Sequence, residues 1–291
     1  MRRSFLHLAT VLGAVALIVP TLSVPAVAAG SPQAPDRSVT VASYNIHHGV
    51  GVDDQLDLDR IAEQIRTSDA DIIGLQEVDR HWSSRSDFVD QADYLARVLK
   101  MHVVYGANLD LDPLAPGEPR RQYGTAILSN YPILESRNTL LPKTGRNEQR
   151  GLLEALINVR GGPLRVFNTH LQHNSQAERQ AQATAILDII GVPDESVVLL
   201  GDLNARPDTP EIATLTDQLV DAWVEAGVGD GYTFSATNPR ARIDYVLYSD
   251  DVVARTAAVL STDASDHLPV VAELDLPGDR VGLRAGQRAS R

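Results

Sequence analysis

Five apolar runs in this chain stop at side chains that can carry chemistry. Leu75-Gln76-Glu77-Val78, Asn168-Thr169-His170-Leu171, Gly201-Asp202-Leu203-Asn204-Ala205, Arg242-Ile243-Asp244-Tyr245 and Ser265-Asp266-His267-Leu268-Pro269 each set a carboxylate, carboxamide or imidazole beside β-branched or Leu-rich sequence. Short apolar runs of this kind read as buried strands. Strand ends are rigid, so polar groups placed there can converge on one small volume while the strands stay in a core. A set of Asp, Glu, Asn and His with no Cys suits a hard, oxygen-liganded cation and a phosphate ester.

The pattern between these segments alternates strands with helices. Strands are expected at Val39 to Ile46, Asp71 to Glu77, Met101 to Tyr105, Gly124 to Ser129, Gly151 to Val159, Leu164 to His170, Ser196 to Asp202, Ala241 to Tyr248, Val252 to Leu260 and Pro269 to Leu274. Gly161-Gly162 reads as a hairpin turn. Asp57 is expected to cap a helix whose Leu58, Ile61, Ala62 and Ile65 follow helical spacing. A second helix is expected from Gln91 to Leu99. Ser175 and Glu178 form a capping-box pattern opening a third, which runs to Ile190. Thr209-Pro210-Glu211 starts a short fourth, with proline at its first position. Strands outnumber helices, and hairpins mix with strand–helix–strand units. The expected fold is therefore two packed mixed β-sheets with helices outside, and Ile72 to Glu77 and Val197 to Asp202 hint at a duplicated half.

The first 29 residues carry a basic start, an apolar middle broken at Pro20 and the small-residue ending Ala26-Val27-Ala28-Ala29, the pattern of a secretory signal peptide. Arg2-Arg3-Ser4-Phe5-Leu6 also resembles a twin-arginine export signal. Residues 30–37 are expected to be a flexible lead-in, 38–276 the folded domain and 277–291 a disordered tail. No later stretch is long and apolar enough for a membrane anchor. With no cysteine, an exported chain must be held by its core rather than by disulfides. Loss of Arg2 and Arg3 with the leader takes the formal charge from -12 to -14, which disfavours tight nonspecific binding to nucleic acid or anionic membranes. A nuclease remains possible, because a bound metal and local arginines can offset the field.

The six segments Tyr44-Asn45-Ile46, Gln76-Glu77, Thr169-His170, Gly201-Asp202-Leu203-Asn204, Ile243-Asp244-Tyr245 and Ser265-Asp266-His267 resemble the endonuclease/exonuclease/phosphatase superfamily, which includes deoxyribonuclease I and inositol polyphosphate phosphatases. The resemblance spans Val41 to about Leu274 and implies a four-layer α/β sandwich and magnesium-dependent phosphoester hydrolysis. It implies Glu77 as the main ligand of Mg2+ (or Mn2+), with Asn45 and Asp266 adding oxygens; magnesium typically takes only one or two protein carboxylates. His267 is the candidate general base, since imidazole titrates near neutrality, and the family pattern makes Asp244 its partner. Asp202 is placed to orient the attacking water, Asn204 to donate to a phosphate oxygen, and His170 to donate to the phosphoryl group or assist the leaving oxygen. Arg150 can clamp the substrate phosphate bidentately.

Ser43-Tyr44-Asn45-Ile46-His47-His48-Gly49 resembles a branch that includes C-terminal domains of proteins acting in lipid-anchor remodelling. There one of His47 and His48 touches phosphate or metal; otherwise they form a polar loop without a ligand. The expected partner is a phosphoester, small or a lipid head group, acted on by a monomeric enzyme. Trp82 and Trp223 lie in no basic aromatic cluster of the sequence, so an extracellular nuclease comes second, and a non-catalytic binding protein on the same fold third. No glycine-rich nucleotide loop, zinc motif or Gly-x-Ser-x-Gly turn occurs.

Overall fold

The computed structural model describes residues 37–278; the expected leader lies outside them, as does most of the expected tail. In chain order the elements are β1 (Ser38–Asn45), α1 (Leu58–Thr67), β2 (Ile72–Arg80), α2 (Gln91–Leu99), β3 (His102–Leu111), β4 (Arg121–Ser129), β5 (Ile133–Leu140), β6 (Gly151–Val159), β7 (Gly162–His170), α3 (Gln176–Ile190), β8 (Ser196–Asp202), α4 (Pro210–Thr216), β9 (Val220–Asp221), α5 (Ala222–Ala226), β10 (Asp244–Tyr248), β11 (Val253–Val259) and β12 (Val270–Asp275). The expected caps operate: the Asp57 side chain accepts from the Arg60 N–H, and Ser175 from that of Glu178. Only half of the capping box forms, because the Glu178 carboxylate turns away to Thr144 and Asn147. The hairpin turn is Arg160-Gly161, both at positive φ, one residue earlier than expected. Strand β5 has no counterpart among the expected elements. It is a sheet edge whose side chains are mostly exposed, so it carries no apolar run.

Two six-stranded sheets form, in the orders β11-β12-β1-β2-β4-β3 and β5-β6-β7-β8-β10-β9. Each has one parallel pair at its centre, β1 with β2 and β7 with β8, and antiparallel neighbours outside it. Each parallel pair is joined by a helix, α1 or α3, the crossover that parallel strands require. The two sheets therefore repeat one plan, the duplication hinted at by the two apolar-then-acidic runs.

Alternation along the strands sorts side chains into three apolar layers. Val41, Ile72, Ile127, Val166, Val198, Leu200 and Val246 pack between the sheets. Tyr44, Leu75 and Leu128 face Ile61, Ile65 and Leu95 of α1 and α2. Phe167, Leu199 and Tyr245 face Ile186 and Leu215 of α3 and α4. The result is the four-layer α/β sandwich. At one end the inter-sheet positions change character: two residues beyond Val41 comes Ser43 and then Asn45, beyond Val166 come Asn168 and His170, beyond Leu200 comes Asp202, and before Val246 comes Asp244. A polar layer divides these from the apolar core. Gln76 Nε2 donates to Ser43 Oγ (3.2 Å) and Asn168 Oδ1 (2.7 Å), while Asn168 Nδ2 donates to the carbonyls of Leu75 and Ala126. Gly74 lets the sheets approach here, since a Cβ on it would come within 2.9 Å of Asn168 and Leu200.

Candidate active site

Glu77 reaches the site through an irregularity. Strand β2 continues past it to Arg80, so it is not the strand end expected from the sequence. The pairing with β4 shifts register between Leu75 and Val78, and Glu77 has φ 58. Neighbouring residues of a regular strand point to opposite faces, but a bulge re-aims one of them, and here Gln76 and Glu77 both serve the polar end. Asn45, at the end of β1, donates from Nδ2 to Glu77 Oε1 (3.1 Å) and to Asp202 Oδ2 (3.0 Å). Its Oδ1 accepts from the His47 N–H at 3.0 Å. Asn45 thus turns its amide nitrogen, not the oxygen expected of a metal ligand, toward the two carboxylates.

Asp202 ends β8, directly across from His170 at the end of β7 and from Asp244 at the start of β10. Asp244 opens its strand rather than lying inside it. His267 Nδ1 lies 2.9 Å from Asp244 Oδ2, and its Nε2 lies 3.7 Å from Asp202 Oδ2. His170 Nε2 is 3.5 Å from the same oxygen. Burial and the Asp244 charge push the Asp202 carboxyl up to about 7. Burial alone would lower the proton affinity of His267, but the charges of Asp244 and Asp202 outweigh it and raise its pKa to about 10. Asp202, raised into the neutral range, and His267, raised above it, thus face each other as a coupled pair. Burial and the Arg150 charge hold His170 well below the ordinary imidazole value.

Asn204, at φ 49, donates its backbone N–H to Asp202 Oδ1 (2.9 Å) and Nδ2 to the Leu171 carbonyl (3.1 Å). That leaves one amide hydrogen for a phosphate. Arg150 is 3% exposed, and its Nη1 lies 2.7 Å from Glu148 Oε1, so its charge is already partnered. His48 Nδ1 lies 4.0 Å from Glu77 Oε2, and His47 Nδ1 lies 3.8 Å from Asp266 Oδ1. Among the described residues two groups of three side chains bring donor atoms within 4.8 Å of one another: His47, His48 and Glu77, and Asp202, Asp244 and His267. Asp266 joins neither. The residues fit a divalent cation: against burial, the neighbouring His48, His170 and Asn45 hold Glu77 ionised, and His48 Nδ1 is buried without a hydrogen-bond partner.

Several supporting residues have no role assigned from the sequence. Ser265 Oγ donates to the Asn45 carbonyl (2.7 Å) and accepts from the His267 N–H (3.2 Å), bridging the last motif to β1. Thr233 Oγ1 accepts from the N–H of Asp244 (3.3 Å), and the Phe234 ring lies 4.8 Å from that of His267. Trp82, expected to stand apart from basic and aromatic groups, lies 5.8 Å from the Tyr123 ring with the Arg85 guanidinium 5.7 Å from its own ring. The pairing of β2 with β4 places Asp79 opposite Tyr123, which brings this cluster together across strands.

Residues 42–267 match the Endonuclease/Exonuclease/phosphatase family. Protein cwh43 of Schizosaccharomyces pombe is 29% identical over 167 residues, covering 57% of this chain; the chain spans 16% of that protein's length. The solved endonuclease/exonuclease/phosphatase from Beutenbergia cavernae superposes with a TM-score of 0.71 at 28% identity, covering 83% of this chain and 72% of that one. The mannosyl-6-phosphatase Bt3783 of Bacteroides thetaiotaomicron shares the fold at a TM-score of 0.65 and 20% identity, covering 81% of this chain and 99% of that one. Motif order, sandwich and family match agree: the chain belongs to the endonuclease/exonuclease/phosphatase family, whose members are phosphoester hydrolases generally dependent on a divalent metal.

Proposed function

We propose that this chain is an exported, metal-dependent hydrolase that cleaves phosphoesters of small molecules or lipid head groups by direct attack of water. The observation that carries the reading is the buried Asp202 carboxylate, set 3.5 Å from His170 and 3.7 Å from a His267–Asp244 pair. Asp202 takes the proton of the attacking water. Its two oxygens are held in place by the Asn204 backbone N–H and the Asn45 amide. Asp244 fixes the His267 ring through Nδ1, so Nε2–H lies on the Asp202 side and can donate to a phosphoryl oxygen. His170, neutral by its burial, donates beside it, and the free amide hydrogen of Asn204 supplies a third donor. Glu77, with the residues around it, would hold a divalent cation that offsets the charge developing on phosphate.

The formal charge of -14 left after loss of Arg2 and Arg3 supports small or lipid substrates over nucleic acid. Export rests on the basic, apolar and Ala-x-Ala pattern of residues 1–29. N-terminal sequencing of protein from culture medium should begin at Ala29 or Gly30. A specific observation favours a second reading, an extracellular nuclease: Trp82, Tyr123 and Arg85 form an aromatic and basic cluster, the residue types that bind single strands. Against it, Arg85 in that cluster is bound by two hydrogen bonds to Asp79, so it offers phosphate little free charge. The deciding experiment compares generic phosphodiesters, inositol phosphates, phospholipids, RNA and DNA, with and without Mg2+ or Mn2+. Fastest turnover of a small or lipid phosphoester, lost in Asp202→Asn, supports the first reading. Faster turnover of DNA or RNA installs the second, and no hydrolysis of any phosphoester overturns both.

A further inference from the structure

The short turn after β1 is built with more constraint than a solvated loop needs. His47 and His48 both have φ 44, and Glu77 across from them has φ 58. Left-handed backbone at residues other than glycine is strained and persists where the surroundings over-determine it, often at ligand sites. The surroundings here do so. Gln91 is fully buried, donates to the His48 carbonyl (2.6 Å) and accepts from the Asp79 N–H (2.9 Å), tying the turn to the strand that carries Glu77. Gly49 has φ 83, and a Cβ there would come within 2.7 Å of Leu58, so the turn lies flush on α1.

The ring nitrogens are presented in a specific state. His47 Nδ1 lies 3.2 Å from the Val50 carbonyl. A carbonyl only accepts, so Nδ1 carries the hydrogen and Nε2 keeps a lone pair, the arrangement that backbone carbonyls impose on metal-binding histidines. His48 Nδ1 is buried and unpartnered, and its 4.0 Å separation from Glu77 Oε2 is beyond hydrogen-bond reach. One donor atom from each of the three side chains lies within 4.8 Å of the others.

We propose that His47 and His48 join Glu77 in a mixed nitrogen–oxygen site that prefers a first-row transition-metal dication to Mg2+. The proposal rests on the metal-dependent reading above and specifies its ligands. Magnesium is a hard ion that favours oxygen and retains its water, whereas imidazole nitrogen raises affinity along the transition series.

Electron spin-echo spectroscopy of Mn2+-loaded protein, without substrate, reads directly coordinated nitrogen. The wild-type protein should show 14N coupling, and calorimetry should show Mn2+ bound more tightly than Mg2+. His48→Asn keeps a residue that tolerates left-handed backbone and replaces nitrogen with an amide oxygen. It should weaken Mn2+ binding by about tenfold or more, change Mg2+ binding far less, and lose part of the 14N signal. His47→Asn should do the same, with circular dichroism confirming the fold of both. Mn2+-loaded wild type without 14N coupling, or coupling unchanged in both variants, overturns the histidine assignment while leaving metal-dependent hydrolysis standing. A wild-type protein that binds neither ion and hydrolyses phosphoesters without metal overturns the underlying reading as well.

Discussion

Asp202 and His267 face each other across 3.7 Å in a buried site, and the proposed mechanism makes their protonation set how activity responds to pH. Asp202 must be ionised to accept a proton, so activity should fall as pH drops through about 7. His267 must stay protonated to donate, so activity should fall again as pH rises through about 10. The two limbs of the bell belong to the coupled pair rather than to one residue each. Asp202→Asn should lower kcat by about 10²–10⁴-fold, the range for general acid–base catalysis, and flatten the acidic limb. A surviving limb would assign the base elsewhere. His267→Ala and Asp244→Ala should each be severe, yet the double variant little worse than His267→Ala, because the pair acts as one unit. Independent, multiplying effects would separate them. Stability gives a second check. His267 has a raised folded pKa, so its contribution is full below about 6.5 and lost as pH rises through about 10. The difference in Tm between wild type and His267→Ala should therefore shrink across that window.

Among the elements, the central strands of the two sheets do most of the positioning. Asn168 of β7 satisfies the carbonyls of Leu75 and Ala126 and accepts from Gln76, so it clamps the segment of β2 just before the bulge. Asn168→Ala leaves these buried groups unpaired and should cost about 1–3 kcal/mol, measured by denaturant unfolding. It should also lower kcat, since the bulge that aims Glu77 loses its anchor. Gly74→Ala tests the same layer by crowding: a methyl within 2.9 Å of Asn168 and Leu200 should destabilise by about 1–3 kcal/mol. If both variants unfold like wild type, the polar layer is not what holds the sheets in register.

For the molecule as a whole, two sheets of one plan bring site residues from both halves to a common end. Asn45 and Glu77 come from one sheet, and His170, Asp202 and Asp244 from the other. Removing metal with EDTA should abolish activity, and Mn2+ or Mg2+ should restore it; Glu77→Ala should respond to neither. Full activity of Glu77→Ala would move the metal centre away from β2. The acidic surface sets a contrast in salt dependence. Turnover of a small phosphodiester should change little between about 50 and 200 mM salt, whereas a nuclease that relies on phosphate contacts loses affinity steeply over that range.

Much of this was legible in the chain itself. Apolar runs such as Val197-Val198-Leu199-Leu200 identify buried strands because alternation and burial are local properties, and Asp57 and Ser175 mark helix starts because a cap needs only its own first turn. The order of the polar segments carried the family, and with it the sandwich. The tertiary structure alone decided what depends on neighbours distant in sequence. The bulge that turns Glu77 inward exists only against β4, and Ser265 finds the Asn45 carbonyl 220 residues away. The raised pKa values of His267 and Asp202 have the same origin: protonation depends on burial and on charges a few ångströms off, and composition or spacing along the chain cannot supply those distances.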